Sequence, residues 1–134
     1  MRRGSTRLSI GVIVAAFSVL PMATAQAGAG DWDYRGNRDF HSRNSEYWPY
    51  GTGAVYSGGG SFKVCVNSAS TENEYYSLDE YDAGSNPDEQ PAIWVGSGCT
   101  VISNLGKYVD GSNNRAEFYV TTTDGSAVSA DLWD

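Results

Sequence analysis

The sequence predicts an all-β fold: a small antiparallel β-sandwich, or a small barrel, of about seven short strands with one disulfide. Three observations lead there. Apolar and polar residues alternate at period two from Ser61 to the end of the chain. No stretch of helical length carries a 3.6 period. Clusters of Gly, Asp and Asn break the alternation at short intervals, as turns do.

Two segments precede this β-body. Residues 1–27 read as a secretory signal peptide. Arg2, Arg3 and Arg7 give a basic start, Leu8 to Leu20 is largely apolar, Pro21 ends the run, and Ala25-Gln26-Ala27 is a small-x-small cleavage site. The apolar run is too short to cross a bilayer. The mature chain is therefore expected to begin near Gly28 and to work as a secreted, extracellular protein. Residues 28–53 form a second segment, rich in charge and aromatics and without helical or strand periodicity. It holds Trp32, Tyr34, Phe40, Tyr47, Trp48 and Tyr50 together with Arg35, Arg38 and Arg43. Residues 54–134 are the β-sandwich domain.

Within the body, Phe62, Val64 and Val66 share one face of the first strand. Tyr76 and Leu78 alternate with Ser77 and Asp79. Ala92–Val95, Thr100–Ile102 and Gly106–Val109 are short extended runs. Ala116, Phe118, Val120 and Thr122 alternate cleanly with Glu117, Tyr119 and Thr121. Val128, Ala130 and Leu132 form the last apolar face. Asp110-Gly111 and Asp124-Gly125 read as hairpin turns.

Cys65 and Cys99 are the two cysteines, and an even count in an oxidising compartment favours one disulfide. It closes a loop of about 34 residues, worth ~3–4 kcal/mol on the chain-entropy model. Cys65 falls opposite Phe62, Val64 and Val66. Either the bridge lies on the outer side of that strand, or a bulge near Gly60 shifts the register.

The stretches Phe62-Lys63-Val64-Cys65-Val66, Gly98-Cys99-Thr100 and Tyr108 through Tyr119 resemble a group of small exported actinobacterial β-proteins with one disulfide, whose function is uncharacterised. The resemblance covers the β-body and not the N-terminal segment. It implies a secreted β-fold with the disulfide, and it brings no catalytic residues.

The formal net charge is −7, and loss of three leader arginines makes the mature chain more acidic still. That field repels nucleic acid and anionic membranes. An extracellular protein or a carbohydrate is the expected partner. No serine-nucleophile, Walker or dinucleotide pattern is present. His41 is the only histidine, and it reads as part of a solvated arm rather than a catalytic base. No catalytic residue is assigned, and no cofactor is expected. Calcium is the ion that the acidic loops 79–89 and 110–114 suit best, although neither has EF-hand spacing. Trp48, Tyr50 and Trp32 are the candidate binding residues. Tyr47-Trp48-Pro49-Tyr50 cannot all point inward on an extended chain, and exposed rings stack on sugars or anchor interfaces.

The expected function is that of a small secreted non-enzymatic binding protein, in one form an inhibitor of an extracellular hydrolase that inserts loop 82–91. A carbohydrate-binding module is the first alternative. A small secreted hydrolase built on His41 or a carboxylate pair is the second. Processing is testable directly. Protein recovered from culture medium should start at Gly28 or Gln26, and its intact mass should show the loss of two hydrogens. Two alkylatable thiols in native material would end the disulfide assignment.

Overall fold

The computed structural model describes residues 31–83 and 87–134. The signal peptide, its cleavage site and Gly84-Ser85-Asn86 of the acidic loop lie outside the described residues. The rest is an antiparallel sandwich of ten strands. These are β1 (Tyr34–Asp39), β2 (His41–Ser42), β3 (Tyr50–Gly51), β4 (Val55–Ser57), β5 (Phe62–Ser68), β6 (Tyr75–Glu80), β7 (Glu89–Val95), β8 (Gly98–Ile102), β9 (Ala116–Thr122) and β10 (Ala127–Trp133).

Sheet A has the order β1-β10-β5-β8 and sheet B the order β2-β3-β9-β6-β7, with β4 also pairing β9. The apolar faces meet between them. Phe62, Val64, Val66, Ala130 and Leu132 come from sheet A; Val55, Tyr76, Leu78, Ala116, Phe118 and Val120 come from sheet B. Phe62 and Phe118 touch across the interface with ring centroids 5.2 Å apart. This follows from the alternation, because one face of each strand is apolar and only a second sheet can cover it.

The N-terminal segment has no period-two pattern, yet it supplies three strands. β1 lies on the edge of sheet A against β10, and β2–β3 extend sheet B against β9. Between β3 and β4, Thr52 continues the pairing. Its N–H donates to Val120 O at 2.9 Å, and its Oγ1 accepts from the Val120 N–H at 3.0 Å.

Several local expectations are corrected. Gly106–Tyr108 is a 3-10 turn rather than a strand. Leu105 and Tyr108, three apart, lie on one side of that turn and both plug the core. Asp124-Gly125 is not a hairpin turn, because β9 belongs to sheet B and β10 to sheet A; the turn carries the chain across the sandwich. Val128 does not join the apolar face. The register shifts between Ala127 and Ser129, and this bulge leaves Val128 exposed while Ala130 and Leu132 stay buried.

Cys65 and Cys99 face each other across the β5–β8 pair and form the disulfide. Of the two placements open in the sequence, the bridge takes the outer face: Phe62, Val64 and Val66 all point inward and the ladder runs unbroken from Phe62 to Val66. The closed loop leaves sheet A, forms β6 and β7 in sheet B, and returns.

The face assignments predict opposite responses to truncation. Phe118→Ala should cost ~3–5 kcal/mol in urea denaturation, through lost burial and a cavity. Val128→Ala should stay within about 0.5 kcal/mol of the parent. Equal losses would contradict the bulge.

Candidate functional site

A pocket opens at one end of sheet B. It has a volume of about 600 Å³, and its walls come from residues 54–56, residues 81–83, turn residues 110–113 and Glu117. Three segments meet there for identifiable reasons. β4 lies along β9 through Val55↔Phe118, Tyr56↔Glu117 and Ser57↔Ala116. The end of β6 lies along the other edge of β9 through Asp79↔Tyr119 and Glu80↔Phe118. The turn before β9 is closed by the Asp110↔Arg115 bridge. Gly111 (φ 64°) and Asn114 (φ 51°) take the left-handed conformation that this tight turn needs. Asn113 fixes its rim, donating from Nδ2 to Glu117 Oε1 at 2.8 Å and accepting the Arg115 N–H at 3.0 Å.

The pocket is acidic. Asp82, Asp110 and Glu117 line it, and among the described residues no Lys, Arg or His does. Behind them stands Glu80, only 1% exposed. Carboxylate oxygens of Glu80, Asp82 and Asp110 lie within 4.8 Å of one another. Glu80 Oε1 accepts the Glu117 N–H at 3.4 Å. Burial pushes the Glu80 carboxyl up to about 7; the Glu117 N–H opposes this, while the charges of Asp82, Asp110 and Glu117 add to it. Tyr56 and Tyr81, each more than half exposed, supply aromatic surface to the walls.

A smaller pocket of about 270 Å³ adjoins the first and shares Ala54 and Tyr81 with it. Arg43, Thr52, Asp88 and Tyr119 complete it. The Arg43 guanidinium lies over the Tyr119 ring, 5.0 Å from its centroid, and its aliphatic stem passes over Gly51, where a Cβ would stand 2.5 Å from Cδ. The Tyr119 hydroxyl donates to Asp88 Oδ2 at 2.6 Å. Beneath, Asp79 accepts from Ser77 at 3.0 Å and Thr121 at 2.5 Å. Burial raises the Asp79 carboxyl, opposed by these hydroxyls, by Gln90 and by the Arg43 charge.

Two acidic stretches named in the sequence, 79–82 and 110–114, are thus brought together. The aromatic candidates are not. Tyr50 sits in a core-side row with Thr122, Tyr76 and Trp94, beside Gly125 in the turn before β10. Trp48 is half-buried nearby in sequence, its N–H bonded to Ser45 Oγ at 3.2 Å. Trp32 lies by Lys63 and Trp133, at the far end of β10. That strand spans roughly 20 Å, so these rings do not form one patch. His41 is exposed on β2 and lines neither pocket. Sequence reasoning missed Tyr56, Tyr81 and Arg43 as wall residues. Their signal is weak, because Tyr56 and Tyr81 become walls only through backbone bonding to β9, and Arg43 only by lying over the Tyr119 ring of β9.

Residues 34–132 match the family model described as the YndA coiled coil domain. The chain belongs to that family. It is 35% identical over 131 residues to the uncharacterised protein YndA of Bacillus subtilis (strain 168), an alignment covering 95% of this chain and 93% of the relative. No solved structure matches the chain. The coiled coil of the family description is not the architecture of the described residues of this YndA-family chain. They contain no α-helix, and the apolar period along β5, for example, is two rather than the 3.5 of a coiled coil.

The Glu80 environment generates a signed pH prediction. Its folded pKa, about 7, stands above the ordinary value of 4.5, so the folded state holds the extra proton between those values. Stability from this group is present below about pH 4.5 and is lost as pH rises through 7. Glu80→Gln should therefore stabilise the fold at pH 8, by on the order of 1–3 kcal/mol, and give no gain at pH 4. Urea denaturation of both proteins at the two pH values checks this.

Proposed function

We propose that this chain is a small secreted non-enzymatic binding protein whose acidic pocket receives a cationic side chain of an extracellular protein partner. The carrying observation is the pocket itself: carboxylates of Asp82, Asp110 and Glu117 lining it with Glu80 beside them, two tyrosines on its walls, and no cationic residue lining it among the described residues. A Lys or Arg head group entering there relieves the repulsion among Glu80, Asp82 and Asp110, and the tyrosine faces favour it further. The volume suits an organic head group with its stem, within the usual range of ligand pockets. An inhibitor of an extracellular hydrolase is one form of such a binder. The signal-peptide pattern at 1–27 supports export, as does the resemblance of the β-body to small exported single-disulfide actinobacterial proteins.

A hydrolase has less support. Glu80 is too buried to reach a glycosidic oxygen.

Calorimetry on the full-length chain tests the reading, with an arginine-rich peptide and calcium chloride titrated separately. The peptide should bind, and Asp82→Asn or Asp110→Asn should weaken it at least tenfold, whereas Glu72→Gln on the exposed surface should change it little. Equal effects at all three positions would reduce the binding to bulk charge and overturn the pocket. Saturable calcium binding without peptide binding would replace the organic cation by a metal ion. Product formation from polysaccharides or peptides would overturn the non-enzymatic reading, and inhibition of a secreted protease would support the inhibitor form.

A further inference from the structure

The outer face of sheet A is covered by no other described element, and its side chains stand in two ordered rows. The antiparallel registers place Tyr34, Trp133, Lys63 and Val101 side by side across β1, β10, β5 and β8. The next row on the same face is Asn37, Asp131, Cys65 and Cys99. One row is aromatic and apolar with a single cation, and the other is an amide, a carboxylate and the disulfide.

The aromatic row is continuous. Tyr34 and Trp133 lie 5.4 Å apart, tilted by 53°. The Lys63 ammonium rests 4.2 Å from the Trp133 centroid and 5.1 Å from that of Trp32. Lys63 makes no ion pair among the described residues. Tyr34 is 57% and Trp32 39% exposed. Such rings on an open face cost free energy in water, and neither pocket lies there to use them.

The polar row is pre-set. The Tyr34 hydroxyl donates to Asp131 Oδ1 at 2.9 Å, and Asn37 Nδ2 donates to the same oxygen at 3.0 Å. Both donors take Oδ1, which leaves Oδ2 for a donor from outside. Asn37 Nδ2 also reaches Ser129 Oγ at 3.2 Å. The Cys65–Cys99 bridge fixes β5 against β8 within this row, so the platform beneath both rows is rigid before any ligand arrives.

We infer that the outer face of sheet A is a saccharide-binding platform, with sugar rings stacking on Trp133, Tyr34 and Trp32 while their hydroxyls bond Asp131 and Lys63. The pairing of rows carries the choice of ligand. Pyranose rings present an apolar C–H face to an aromatic ring and hydroxyls at their edge, and they need carboxylate and ammonium groups beside the aromatic surface. A purely apolar partner would leave Asp131 and Lys63 unpaired. Nucleic acid is disfavoured by the acidic chain. This platform is separate from the acidic pocket, and its test stands apart from the one above.

The experiment is sedimentation of the full-length protein with insoluble chitin, cellulose and bacterial peptidoglycan, followed by elution with the matching soluble oligosaccharides. At least one of the three should retain the protein, with quenching or shift of tryptophan emission on adding its oligosaccharide. Trp32→Ala and Tyr34→Ser, both at exposed positions, should each reduce retention at least fivefold with an unchanged thermal midpoint. Trp133→Ala should abolish retention, and Trp133→Phe should restore part of it. Glu72→Gln, on the exposed surface outside both rows, should be retained like the parent. Retention on none of the three polymers overturns the inference, as does retention that Trp32→Ala and Tyr34→Ser leave unchanged. Loss of a protein partner's binding in those variants, with no polymer retention, assigns the face to protein recognition instead.

Discussion

The sandwich hangs on a buried carboxylate. Asp124, 2% exposed, sits in the turn that carries the chain from sheet B to sheet A. It accepts the Tyr76 hydroxyl of β6 at 2.6 Å, the Ser68 hydroxyl at the end of β5, and the Ser126 N–H at 2.7 Å. One side chain thereby ties the last turn to a strand of each sheet. Burial alone would raise its pKa, yet the three donors together hold it below the usual range. The cost of desolvating the charge is therefore more than met by charged hydrogen bonds, which are the stronger kind. Burial and the Asp124 carboxylate together push the Tyr76 hydroxyl far above its ordinary value, which keeps it a donor across the range in which proteins fold.

A second carboxylate does the same at the other end of β10. Asp134 receives Arg35 of β1 at 2.9 Å, the Ser57 hydroxyl of β4 and the Gly58 N–H at 2.8 Å. Backbone bonds between Asp33 and Asp134 run both ways at 2.9 Å. β10 is thus pinned at each end, with its apolar residues Ala130 and Leu132 facing the core between the pins. The acidic composition that sets the charge of the surface also supplies the acceptors that close the ends of the sandwich.

What was legible in the sequence was whatever a single strand reveals about itself. The faces of β5 and β9 could be read because one side of each is buried and alternation follows. The short strands of the N-terminal segment could not, since two-residue pairings are too brief for a period and β1 is an edge strand with a glycine bulge near its start. β6 was half-legible. Tyr76 and Leu78 face the core as alternation implies, but Ser77, Asp79 and Glu80 are buried as well. Their burial depends on Arg43, Thr121 and the Asp110 turn, all distant in sequence. The same limit hid the pocket: its two acidic stretches were visible as composition, while their meeting depends on the β6–β9 register. The Trp32–Lys63–Trp133 group was equally hidden, because it joins the residues just before β1 to β5 and β10 across most of the chain.

β9 is where these distant pieces are reconciled. It pairs β3 and β4 on one edge and β6 on the other, so residues from both sides of position 53 are registered against one template. Thr52 makes the path continuous by bonding Val120 through both its N–H and its hydroxyl. Arg43 then lies over Tyr119, and Tyr119 in turn holds Asp88 at the start of β7. The walls of the acidic pocket, Ala54 to Tyr56 on one side and Tyr81 to Ala83 on the other, follow directly from these two edges of β9. The N-terminal segment thus shapes the pocket without lining its acidic half. It does so by fixing where β4 begins and by filling the neighbouring hollow with Arg43. The same segment also carries Trp32 and Tyr34 to the opposite outer face, so one short run of chain positions both candidate binding surfaces.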